Sequence, residues 1–90
     1  MNYDLVEVIW HDAFAYKDSW ISAADIDEEP MVVHSVGYLL QNAKPDHVVI
    51  TQSVNAEDIY DGVLSIPCAM VRILRVVSST DRVPFSPTSA

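Results

Sequence analysis

Apolar and β-branched residues in this chain fall into five short runs separated by turn-forming residues, a rhythm that favours strands over helices. Leu5 to Ala13 reads LVEVIWHDA, with Val6, Val8 and Trp10 on one face and Glu7, Ile9 and His11 on the other. That is the period-two signature of a half-buried strand, expected here at a barrel edge. Met31 to Asn42, MVVHSVGYLLQN, is the longest candidate, and Gly37 in its middle permits a bulge or sharp bend. The turn AKPD follows, then His47 to Val54, HVVITQSV, which pairs with its predecessor as an antiparallel hairpin. A DG turn at Asp61 and Gly62 precedes a fourth strand, Val63 to Ile66, which Pro67 ends. Met70 to Val77 is the fifth, with a bulge or an edge expected where Leu74 and Arg75 break the alternation.

The connections carry their own signals. Phe14 to Pro30 holds Phe14, Tyr16 and Trp20 without a sustained period, and aromatic residues this dense predict a lid folded back over the barrel mouth. Ser22 and Asp25 have capping spacing for one helical turn, as do Asn55 and Asp58. From Ser78 onward the chain reads SSTDRVPFSPTSA, too poor in apolar pattern to offset its ordering entropy. The expectation is therefore one all-β domain, residues 1–77, built as a five-stranded small barrel, with residues 78–90 as a flexible tail.

Half of the residues are hydrophobic and the mean hydropathy is +0.16. A unit this small buries only about 60% of its unfolded surface. The excess apolar area predicts a homo-oligomer, which hides it between subunits. Thirteen acidic residues against five basic ones give a net charge of -8. Without a Lys and Arg cluster, general nucleic-acid binding is disfavoured. The acidity has two readings: it keeps a small apolar barrel in solution, or it presents carboxylates to a basic partner. The first residues carry acids where a secretion signal carries bases, and no apolar run can span a membrane, so a cytoplasmic location is expected.

The candidate chemistry is sparse. One cysteine, Cys68, lies in the apolar run LSIPCAMV and reads as a buried, inert thiol. His11 and Asp12 are adjacent on a strand and point to opposite faces, and His34 and His47 have no ligand spacing. The acidic stretch Asp25 to Glu29 lacks the glycine and the distal glutamate of a calcium loop. Ser35 and Ser53 have no nucleophile-elbow setting, and two glycines cannot form a phosphate-cradling loop. No metal, cofactor or catalytic set is expected.

The C-terminal run SIPCAMVRILRV is similar to the closing segment of SH3-like barrels, with Ile66 and Pro67 ending a strand and Val71 opening the last one after a tight turn. The bent strand around Gly37 resembles Sm-like barrels. Across most of its length the chain also resembles a family of short, uncharacterised phage and prophage proteins. The matching features are Trp10, Asp12 and Ala13, then Ser35 to Leu39, then Gln52 and Ser53, then Ile66, Pro67 and Val71. What the resemblance implies is context, a phage accessory protein acting on the host, and no site residues come with it.

The residues themselves leave one constellation for binding. Trp10, Tyr16, Trp20 and Tyr38 offer stacking surfaces, and Asp12, Ser35, Gln52 and Ser53 offer hydrogen bonds. Arg72 and Arg75, from the same or a neighbouring subunit, could meet phosphates. The expected function is non-enzymatic binding of a nucleotide-like ligand, such as a host immune signal, in a homo-oligomer. The competing reading makes the same aromatics core and subunit contacts. Two further classes stay open: an acidic inhibitor or DNA mimic that binds a basic host protein, and a structural component of the phage particle.

Overall fold

A computed structural model describes residues 2–16, 20–77 and 84–87. Its strands are β1 (Leu5–Asp12), β2 (Met31–Leu39), β3 (His47–Val54), β4 (Tyr60–Pro67) and β5 (Val71–Val76). They form one antiparallel sheet in the order β4-β3-β2-β1-β5. The five expected strands are all present, and the sheet is open: β4 and β5 are its two edges, so a closed barrel is not what the pairing gives. β1, expected at an edge, lies between β2 and β5.

β1 supplies the core because its alternation is strict. Val6, Val8 and Trp10 are buried in turn, and each faces β2 residues across the ladder, Gly37, Ser35 and Val33. The buried cluster joins these three to Ile50 of β3 and Ile66 of β4, with Met70 and Val71 packed against it. β2 separates β1 from β3 in the sheet, so the β3–β4 arm must curl across the face of β1 to make that cluster. Ile66 is fully buried there.

The curl rests on a close approach. Two residue pairs, Tyr38↔Thr51 and Leu39↔Ile50, join β2 to β3, whereas eight pairs join β1 to β2. A Cβ at Gly37 would lie 2.9 Å from the Thr51 carbonyl oxygen and 3.2 Å from the Ile50 Cβ. Gly37 thus acts by letting β3 cross near β2; the β1–β2 register runs through it without a shift, so the expected bulge is not there. The register shift falls instead between Ile9 and Trp10 opposite β5, where Arg72 is the extra residue.

Three local expectations need correction. Asp61 and Gly62 lie within β4 and not in a turn; Gly62 has φ +71°, and the reversal is made by Asn55, whose Oδ1 accepts from the Glu57 and Ile59 amides at 2.9 and 3.0 Å. Cys68 is exposed, because it opens a one-turn 3-10 helix (Cys68–Met70) on which Met70, not Cys68, packs against the core. Among the described residues the segment after β1 forms no lid: Trp20 is 94% exposed, and residues 20–30 are exposed throughout. Ser22 and Asp25 do meet, Oγ donating to Oδ2 at 2.9 Å, beside the short 3-10 turn Ala23–Asp25. Of the expected tail, residues 78–83 and 88–90 lie outside the described residues, and 84–87 are exposed.

A Gly37→Ala substitution should lower stability by about 1–3 kcal/mol, since a rigid backbone carbonyl blocks the added methyl. Urea unfolding should show a lower midpoint at unchanged slope. An unaltered midpoint would mean that β3 can move away from β2 at no cost.

Candidate functional site

The ladder between β2 and β3 stops after Tyr38↔Thr51, and beyond it the two strands diverge into a fork. The Leu39 amide donates toward the β1 side, to the Asp4 carbonyl at 2.8 Å, and the Leu40 amide toward the β3 side, to Val49 at 2.9 Å. By the alternation of an extended strand, the N–H and C=O of Val36 therefore point into the fork, where β3 supplies no paired residue. Thr51, buried at the apex, donates its hydroxyl to the Ser53 carbonyl at 3.0 Å and lies 2.9 Å from that of Asp61. Its single hydrogen is shared between two acceptors at the point where β3 leaves its neighbour.

The fork opens into a cleft of about 380 Å³, lined by Ser35 and Val36 of β2, Ile50 and Gln52 of β3, and Gly62 and Leu64 of β4. Two of the residues expected to bind a ligand, Ser35 and Gln52, are thus brought to one place. Trp10 supports the site without lining it. Its indole Nε1 donates to Ser35 Oγ at 3.0 Å, a diagonal reach across the β1–β2 ladder, while its ring is buried in the core. This bond uses the Ser35 oxygen as acceptor and leaves its hydroxyl hydrogen free to point elsewhere. Gln52 is exposed, and its chain lies over Gly62: a Cβ there would sit 2.8 Å from Gln52 Cβ and 2.9 Å from Oε1. The floor is apolar, from Ile50 and Leu64.

The remaining candidates lie elsewhere. Asp12 ends β1 and its Oδ1 accepts the Ala13 amide at 2.7 Å; it is four residues beyond Val8, the partner of Ser35, or about 13 Å along the strand. Tyr16 stacks edge-on with Phe14 and its hydroxyl accepts the Asp27 amide, so it ties the long connection to itself. Trp20 projects from that connection into solvent, and Ser53 is exposed on β3 without lining the cleft. The two arginines sit on β5, with β1 and β2 between them and the fork. Arg72 donates to the Ala69 carbonyl at 3.0 Å, and Arg75 pairs with Glu7 at 3.3 Å. Glu7 also lies 4.0 Å from His34. Within one subunit neither arginine reaches the cleft.

One cluster escaped the sequence reading. The Tyr3 hydroxyl donates to Asp58 Oδ1 at 2.9 Å and lies 2.9 Å from the Tyr60 hydroxyl, with the two rings edge to face. The hydrogen bonds to Tyr60 and Asp58 push its pKa well above the usual tyrosine value. More than fifty positions separate Tyr3 from its partners, so no local spacing could have signalled the contact. Asp58 itself has a positive φ of 58°.

Ser35→Ala should destabilise the protein by about 1–3 kcal/mol by leaving the indole N–H unpaired. In a Trp10→Phe background the same substitution should cost much less, as a double-mutant cycle in urea would show. Equal costs in both backgrounds would mean that the bond contributes nothing.

No family model matches this chain, and no curated protein and no solved structure matches it either.

Proposed function

We propose that this is a non-catalytic binding protein, a phage-type accessory factor that sequesters a nucleotide-like ligand while assembled as a homo-oligomer. The observation that carries the reading is the fork: Ser35 and Gln52, far apart in sequence, line one cleft over an apolar floor. A free hydroxyl hydrogen and a carboxamide beside apolar side chains suit a small, flat, polar ligand. Buried acid–base pairs, which catalysis would call for, play no part in this reading.

The sheet edges support the assembly. Leu74 and Val76 of β5 stand opposite Val8 and Val6, and Leu64 of β4 stands opposite Ile50, so all three share the core-facing side of the sheet. They remain exposed because nothing of the described chain covers that side at the two edges. Two free edges flanked by apolar side chains are a template for strand pairing between copies. The charges differ as well: β5 carries Arg72 and Arg75, while β4 and the turn before it carry Glu57, Asp58 and Asp61. That difference favours β4 of one copy beside β5 of the next, a heterologous contact that closes into a ring if the rotation allows.

Native mass spectrometry of the full chain, alone and with linear and cyclic nucleotides, tests both parts. A single defined oligomer is expected, falling to monomer in Leu74→Asp, and gaining a fixed number of one nucleotide. A monomeric wild type at micromolar concentration, together with no nucleotide gained, would sink the reading.

A second reading rests on the long connection, where Asp25, Asp27, Glu28 and Glu29 are all exposed. The Glu29 amide donates to Asp27 Oδ1 at 2.9 Å, which folds part of this acidic stretch into a turn. Such a surface suits a basic protein partner. It predicts salt-sensitive binding to a polylysine probe, weakened at least tenfold when the four acids become amides. Binding that survives the amides would remove the acidic stretch from consideration.

A further inference from the structure

We infer that the cleft reads its ligand by a hydrogen-bonding ring edge and not by phosphate, so that the base of a nucleotide is the recognised part. This rests on the proposed binding function and specifies which chemistry the site recognises.

The inference comes from what lines the fork. No Lys or Arg is among the lining residues, and the two described arginines are engaged on β5, with the Ala69 carbonyl and with Glu7. The chain's net charge of -8 supplies no general attraction for an anion that has no local cation. The polar groups that do face the cleft are neutral and directional. The Gln52 carboxamide offers one acceptor oxygen and an NH2 donor side by side, and among the described residues it has no hydrogen-bond partner. The Ser35 hydroxyl has its hydrogen free, because the Trp10 indole occupies its oxygen as an acceptor. The Val36 N–H and C=O point into the same opening with no β3 residue paired to them. Together these place neutral donors and acceptors in one cleft with Ile50 and Leu64, a lining complementary to the edge of a planar heterocycle whose faces are apolar.

Gly62 leaves room for the Gln52 carboxamide: a Cβ there would lie 2.8 Å from Gln52 Cβ and 2.9 Å from Oε1, and the Gly62 φ of +71° is one that glycine adopts without strain. A heterocycle with adjacent donor and acceptor atoms can meet the carboxamide through two parallel hydrogen bonds, as side-chain amides meet bases elsewhere.

The test is calorimetric titration of the full chain with the four ribonucleosides, the four 5′-monophosphates and inorganic phosphate, each at low and high salt. The expected result is that at least one nucleoside binds, that its monophosphate binds within about threefold of it, and that salt changes neither. Gln52→Met, which keeps the side-chain length and removes the polar pair, should weaken that nucleoside at least tenfold with an unchanged urea midpoint. Binding of a monophosphate or of phosphate without the nucleoside, falling with salt and indifferent to Gln52→Met, would overturn the inference while leaving a nucleotide-binding function in place. Absence of binding by all nine compounds, and by the cyclic nucleotides of the mass-spectrometric panel, would overturn both.

Discussion

Where β3 passes over Gly37, the backbone of one strand lies against the Cα of another with no room for a methyl group. That contact sets the geometry of everything downstream. It allows β3 and β4 to swing across the face of β1, so that Ile50 and Ile66 reach Val6 and Val8 although β2 lies between them in the sheet. Because only two residue pairs hold β2 to β3, the same swing also opens the ladder into a fork. Core and cleft are two sides of one bend.

The bend is expensive in polar terms, and the chain meets the cost with side chains. Thr51 places a buried hydroxyl between two carbonyls at the apex, and Trp10 reaches diagonally to Ser35 from inside the core. Among the described residues no buried side-chain polar atom lacks a partner. At the fork the exposed Gln52 carboxamide, the hydrogen of the half-buried Ser35 hydroxyl and the Val36 backbone groups have no partner on β3. The half-buried Ser35 hydroxyl is thus held from the core by Trp10, while Gln52 stands exposed at the opening.

An open sheet also explains the apolar excess. A strand at an edge has a core-facing side chain at every second position whether or not anything covers it, and Leu64, Leu74 and Val76 are those positions. In a closed barrel these side chains would meet each other. Here they form two apolar borders carrying opposite charge, and burying them between copies would use surface that the single chain leaves in water. Among the described residues no helix is long and apolar enough to cross a membrane.

Strand number, order along the chain and the inward face of β1 were legible in the sequence, because period-two alternation and turn residues act over a few positions and need no distant partner. β3 was read to its residue limits for that reason, and Ser35 and Gln52 were singled out as polar residues within apolar strands. What the sequence could not supply were contacts made by distant segments. Trp20 looked like part of a lid, yet among the described residues nothing apolar covers it; Cys68 looked buried, yet its turn faces outward. The Asp61–Gly62 pair looked like a hairpin turn, but the Asn55 side chain closes the reversal earlier and leaves Gly62 to make room for Gln52. Local alternation determined the strands; the curl that brings β3 over β2 is a long-range packing event, and it alone decided which polar residues share a cleft and which edges stay open.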